Sequence, residues 1–222
     1  MVKADLPIRD AASIILFRND PEPTVLMGRR PKKAAFMPDL YVFPGGAVDS
    51  GDSMISLVQP LRPPIRRRLA DRSAVPPEAI VVAAIRELWE ETGLVLGAQA
   101  RWTDIPEGWS TYAETGNRPS GAGLEFAFRA ITPPGRSRRF DARFLIANAK
   151  LLASDADDFS KAGDELTDLA WVPLSDAKHL PVPFITQIVL AQIAPLVVSG
   201  EPPAQVPFFA HRQEDRFVDY ID

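Results

Sequence analysis

Hydrophobic and polar positions along this chain change period several times, and each change predicts an element. Ala11 to Arg18 is a largely apolar run that stops at Asn19-Asp20-Pro21, and a second short run, Thr24 to Gly28, follows Pro23. Together they predict a hairpin. Tyr41-Val42-Phe43 then leads into Pro44-Gly45-Gly46, whose glycines permit a turn that side-chain-bearing residues would resist. Over residues 79–92 the period lengthens. Val81, Ala84, Ile85 and Leu88 recur at helical spacing, which predicts an amphipathic helix with acids on its opposite face. Its start is expected near Pro77-Glu78, because proline is tolerated in a first turn and an acid there complements the helix dipole. Gly93 is placed to cap its end.

Downstream the pattern returns to strands. Leu124 to Ile131 is a strand that breaks at Thr132-Pro133-Pro134-Gly135, Phe140 to Ala147 is a second, and Leu169 to Val172 is a third before Pro173-Leu174-Ser175. Pro183 to Val198 has the length and apolar character of a closing helix that Pro195 bends or ends. Strands on both sides of a central helix, with another helix late, predict an α/β layered domain with a mixed sheet. No internal repeat is present, and residues 1–222 read as one domain.

Composition narrows the function classes. The chain has 222 residues, 46% of them hydrophobic, enough for a substantial core. A formal charge of −4 argues against a binder of nucleic-acid polymers, whose surfaces are normally basic, and leaves small phosphorylated molecules compatible. With no cysteine, disulfides, thiolate nucleophiles and zinc–thiolate sites are excluded. No apolar stretch approaches the roughly 18 residues of a membrane span, and Met1 to Pro7 lacks the apolar region of a signal peptide. The expectation is a cytoplasmic protein without a membrane partner.

The chemistry concentrates in Arg86-Glu87-Leu88-Trp89-Glu90-Glu91-Thr92-Gly93-Leu94. On a helix, Glu87, Glu90 and Glu91 stand at i, i+3 and i+4 and converge on one face. Like charges so close destabilise a helix unless something positive sits among them. A hard divalent cation, Mg²⁺ or Mn²⁺, is the expected partner of such oxygen donors.

These residues resemble the box of the Nudix hydrolase superfamily, which reads Gly, five residues, Glu, seven residues, Arg-Glu-aliphatic-any-Glu-Glu-any-Gly-aliphatic. The second half is met at every defined position. The first half is split: counting on from Gly46 reaches Asp52 where the pattern has Glu, whereas counting back from Arg86 reaches Glu78. An insertion at about 53–77 separates the two registers and resembles the split-box branch that includes peroxisomal-type coenzyme A diphosphatases. The resemblance implies a Nudix-type α/β/α sandwich and water attack on a diphosphate joined to some group X. It also implies metal binding by Glu87, Glu90 and Glu91, with Arg86 orienting the carboxylates and Glu90 taking part in catalysis. Glu78 and Asp52 compete for the remaining acidic place, and Glu78, in register with the helix, is preferred. Glu165 of the Asp164-Glu165 pair is the outside candidate for the base.

Gly45, Gly46, Arg30 and Arg139 are candidates for the substrate side. Leu26-Met27 and Arg29-Arg30 partly fit a further pattern of coenzyme A-cleaving members, although residues 34–40 lack its histidine and glutamine. The inserted segment, with Arg62, Arg66, Arg67, Arg68 and Arg72 among prolines, reads as a solvated excursion or as a basic lid over substrate phosphates. His179 and His211 are too isolated for a histidine metal site. Trp89, Trp102, Trp109 and Trp171 read as packing residues, with base stacking by one of them as the sharper alternative. The resulting expectation is a metal-dependent hydrolase of a nucleoside diphosphate derivative, led by CoA or acyl-CoA. ADP-ribose, nucleotide sugars and dinucleotides are the rival substrates, and a non-catalytic nucleotide-binding module is the rival class. A second copy of the chain is a candidate partner.

Overall fold

The computed structural model describes residues 6–212 and 215–222. The chain opens with β1 (Ile8–Arg18), β2 (Thr24–Arg29), β3 (Tyr41–Val42) and β4 (Gly45–Ala47). Two helices follow, α1 (Pro63–Ala70) and α2 (Pro77–Thr92), and then β5 (Gly97–Gln99), α3 (Ser110–Ala113), β6 (Asn117–Pro119), β7 (Glu125–Ile131) and β8 (Arg139–Asn148). β9 (Thr167–Pro173), α4 (Leu174–Ala177), α5 (Phe184–Ser199), β10 (Val206–Arg212) and β11 (Asp215–Ile221) complete it.

Among the described residues the main sheet has nine strands, with the path β11-β10-β7-β8-β1-β2-β3; β4 also pairs with β1 and β9 with β2. β1 runs parallel to β8 and β10 parallel to β7, while the other pairs of this sheet are antiparallel, so the sheet is mixed as expected. The period-two pattern of β1 sends alternate residues to two cores. Ile14 and Leu16 join the cluster under α2, and Ile15 joins the cluster under α5. The result is three layers, helix, sheet and helix.

α2 is buried on more sides than an amphipathic stripe would give. Ala79 to Ile85 are all buried, because α2 lies between the sheet and the inserted segment. Gly93 ends it in a left-handed conformation, φ 72°, and a Cβ there would stand 2.8 Å from the Cβ of Lys161. Glycine therefore satisfies both the cap and the close approach.

Several expectations are corrected. Gly45 and Gly46 do not make a turn: they form β4, which lies antiparallel to Ala11–Ser13 of β1. α5 continues through Pro195 to Ser199 rather than ending there. The hairpin of β10 and β11 and the small sheet of β5 and β6 were not foreseen, because their runs are short or broken by polar residues.

The insertion is also more than a solvated excursion. α1 buries Ile65 and Leu69 in the main core against α2 and β7. Its arginines are engaged locally: Arg66 with Glu78, Arg68 with the Pro203 carbonyl, Arg62 with Glu125 and Arg72 with Asp219. This removes the basic-lid reading. Leu69→Ala is expected to cost about 2–5 kcal/mol of stability, as for other buried leucines, and the exposed Arg67→Ala to stay within about 0.5 kcal/mol. Urea denaturation measures both, and a neutral Leu69→Ala would return the segment to the status of a surface loop.

Candidate active site

The last two turns of α2 carry Arg86, Glu87, Glu90 and Glu91, with no basic residue in the final turn. Carboxylates at a helix C-terminus face the negative end of the dipole, so this arrangement costs stability unless cations compensate. Arg86 is the first compensation. Its Nε donates to Asp52 Oδ1 at 2.9 Å and its Nη2 to Asp52 Oδ2 at 3.2 Å. Nη1 donates to Glu87 at 2.9 Å and to Glu90 at 3.1 Å, and Nη2 also reaches the Ala47 carbonyl at 2.9 Å. Burial works against the Arg86 charge, but Asp52, Glu87 and Glu90 more than reverse this and hold it protonated.

Backbone geometry places the remaining acids. Gly45 N–H donates to Glu91 Oε2 at 2.8 Å, which ties β4 to the end of α2. A Cβ on Gly46 would stand 2.3 Å from Glu87 Oε1, so only glycine leaves room for that carboxylate against the strand. Burial raises Glu87 to about 7, with Arg86 opposing and Glu90 and Glu165 adding to the rise. Burial raises Glu91 to about 8, where the Gly45 N–H opposes and Glu87 adds. Glu90 is also shifted up, again chiefly by burial.

Glu165 enters from the far side, on a loop pinned by the bond from Gly163 N–H to the Glu90 carbonyl at 2.9 Å and by buried Leu166. It lines the same cleft as Glu87, Glu90, Gly45, Gly46 and Arg30. The cleft has a volume of about 450 Å³, within the usual range for small-molecule sites. Arg30 Nε is buried there without a hydrogen-bond partner.

Two sequence expectations change. Glu78 lies at the opposite end of α2 and pairs with Arg66 at 2.7 Å, with 38% of its side chain exposed. Asp52, only 2% exposed, is the acid that meets Arg86. Helical register brought Glu78 onto the same helix, but nine residues of rise carry it far along the axis, at roughly 1.5 Å per residue. The Gly46-to-Asp52 spacing was the informative signal. Arg139 is buried and donates to the Thr132 carbonyl at 3.1 Å; its neighbour Arg138 lines the cleft instead.

Arg9 and Ser13 of β1, Phe36 and Met37, and Thr186 of α5 also line the cleft, and no motif pointed to them. Trp89, Trp102 and Trp109 pack around Tyr112, and Trp171 lies under Arg18, so none of the four lines it. His179 is exposed beyond α4, and the side chain of His211 lies outside the described residues.

No family model matches the chain. It is 28% identical over 177 residues to a protein described as putative nudix hydrolase 7 of Caenorhabditis elegans, an alignment that covers 74% of this chain and 51% of that protein. The chain thus spans about half the length of that curated relative. A crystal structure of a NUDIX hydrolase from Alicyclobacillus acidocaldarius is 26% identical, with a TM-score of 0.64, covering 88% of this chain and 93% of the other. In sequence and in fold the chain is similar to Nudix hydrolases. The crystal structure of a mutator MutT protein from Bacillus halodurans, 13% identical with a TM-score of 0.50 and covering 96% of this chain and 98% of that one, shares the fold.

Nudix hydrolases generally use divalent metal ions, and the donors present in this chain fit one. Three carboxylates near one end of a helix are hard oxygen donors, and burial, with neighbouring carboxylates adding, raises Glu87 and Glu91 in a way that a cation would relieve. Among the described residues no three acids or histidines already converge closely enough to hold an ion together, since Arg86 draws Glu87 and Glu90 to itself.

Removing the acid at Asp52 leaves a half-buried guanidinium short of its partner, so Asp52→Ala is expected to cost about 3–5 kcal/mol. Glu78→Gln breaks an exposed pair and is expected to cost under about 1 kcal/mol. Denaturant melting of both variants checks the ordering, and a larger loss at Glu78 would contradict this assignment.

Proposed function

We propose that this chain hydrolyses the diphosphate bond of a nucleoside diphosphate derivative, with Mg²⁺ or Mn²⁺ as cofactor. One observation carries the reading: Glu87, Glu90, Arg30 and Glu165 line a single cleft, so candidate metal-binding acids, a candidate base and a guanidinium whose buried Nε lacks a hydrogen-bond partner share one space. A divalent cation bound there would neutralise charge on the diphosphate oxygens and acidify a bound water. The chain's own groups do the rest. Arg86 holds Glu87 and Glu90 at fixed positions, and the Gly45 N–H holds Glu91. Arg30 and Arg138 offer guanidinium groups to phosphate oxygens. Glu165 accepts the proton of the attacking water. Water oxygen bonds to one phosphorus as the bridging P–O bond breaks, and two phosphate monoesters leave.

CoA or acyl-CoA is the leading substrate class within this proposal, supported by the split box and by the partial upstream pattern, whose Arg30 lines the cleft. Intact Glu87, Glu90 and Glu91 favour turnover over a purely binding role.

Hydrolysis of CoA, acyl-CoA, ADP-ribose, a nucleotide sugar and a dinucleotide, with products read by mass spectrometry, is expected to require Mg²⁺ or Mn²⁺ and to be fastest for the CoA compounds. Glu91→Gln is expected to lower kcat by on the order of 10²-fold or more. A folded Glu91→Gln protein with wild-type turnover would reject the assignment of the site, and metal-independent or absent hydrolysis across the panel would reject the reaction.

A further inference from the structure

Beside the acidic cleft lies a second cavity of about 550 Å³, which the hydrolytic step leaves unused. Sheet register makes its floor. Ala130 of β7 pairs with Ala142 of β8, and Phe209 of β10 pairs with Ala130. On the same face the neighbouring cross-strand pair is Phe128 and Phe144, packed edge to face with ring centroids 6.1 Å apart. A pair of methyl groups beside a pair of rings leaves a depression in the sheet surface. The start of α5, with Pro183 and Ile185, forms one wall, and Phe36 and Met37 form the other. Met37, Thr132, Ala142 and Phe144 line both cavities, so the chamber adjoins the cleft along a shared boundary.

The lining discriminates between occupants. Floor backbone groups are engaged in the ladders of β7 with β8 and with β10. The Thr132 hydroxyl already accepts the Phe140 N–H at 3.0 Å, and Arg136 and Ser137 stand at the exposed rim. A nucleobase would bring edge donors and acceptors that this interior leaves unmatched, whereas hydrocarbon brings none. Phe184 remains 64% exposed at the mouth, an apolar surface that such an occupant would cover. Met37 holds its wall in a left-handed conformation, φ 50°, the kind of strain found where a segment is shaped around a ligand.

We propose that this chamber is a subsite for an aliphatic chain carried on the X half of the substrate, a reading that rests on the diphosphate hydrolysis proposed above. The test is calorimetric binding of hydrolysis-resistant P1-adenosine P2-alkyl methylenebisphosphonates, with ethyl, hexyl and decyl chains, to the full chain in Mg²⁺. The dissociation constant is expected to fall by about fourfold per methylene from ethyl to hexyl, matching roughly 0.8 kcal/mol for each buried CH₂. Ala130→Leu, which fills the floor, and the more easily folded Ala35→Trp at the exposed rim should each bring the decyl compound back toward the ethyl compound. Circular dichroism verifies the fold of both.

Affinity independent of chain length overturns the subsite, as does a chain-length dependence unchanged in both variants. A dinucleotide analogue that binds more tightly than the decyl compound and is lost in Ala130→Leu would assign the chamber to a base and also overturn it. Turnover of the hydrolysable counterparts separates the two proposals. Hydrolysis with flat affinities sinks only the subsite, and chain-length-dependent binding without hydrolysis of any diphosphate sinks only the reaction.

Discussion

The contact between Arg86 and Asp52 is the constraint on which the rest of the site depends. A guanidinium offers several donors in a rigid plane, and here they meet Asp52, Glu87, Glu90 and the Ala47 carbonyl. Those acceptors come from separate stretches: the short helical segment after β4, β4 itself, and α2. One side chain thus closes a motif that the insertion has opened. Burying the pair is tolerable because nearly every donor is matched, and an arginine deprived of Asp52 would keep its desolvation cost without its best partner.

A second buried network explains how the insertion became part of the fold. Arg129 and Arg143 lie directly opposite on β7 and β8, a cross-strand pairing of like charges that would be unfavourable by itself. Asp141 bridges them, at 2.7 Å from Arg129 and 3.3 Å from Arg143, and Asp10 adds a second carboxylate to Arg143. The remaining Arg129 donors go to the carbonyls of Asp71 and Arg72, and Arg143 reaches the Ser73 hydroxyl at 3.2 Å. The segment between α1 and α2 is therefore hydrogen-bonded to the sheet from beneath while Ile65 and Leu69 pack it from the side. Prolines and arginines that read as a solvated loop are, in space, the cover of one core.

The same architecture divides labour between the two faces of the sheet. α2 and its acids occupy one side and edge, while α5 and the segment around Phe36 build apolar walls from the other. Where they meet, at Met37, Thr132, Ala142 and Phe144, a charged cleft and an apolar chamber share a boundary. The proposed reaction, which must hold a diphosphate and an unlike group X, has use for such a boundary, since charge and hydrocarbon need different surroundings.

The sequence by itself determined what local chemistry can determine. Strong apolar periodicity predicted β1, β2, α2, β7, β8 and α5 close to their observed limits, Gly93 marked a helix end through its left-handed conformation, and helical spacing put Glu87, Glu90 and Glu91 on the last turns of α2, where Glu87 and Glu90 line the cleft and Glu91 is buried against Gly45. Spacing works over about one or two turns because the backbone holds those residues in fixed relation. It could not rank Glu78 against Asp52, since helical register says nothing about a carboxylate arriving from another segment. It could not see that Gly46 is small to admit Glu87, that Arg139 turns inward while Arg138 faces the cleft, or that Ala130 and Ala142 lie side by side. Those facts depend on residues far apart in the chain meeting across strands, and only tertiary packing, with its demand that every buried charge find a partner, decides which of them do.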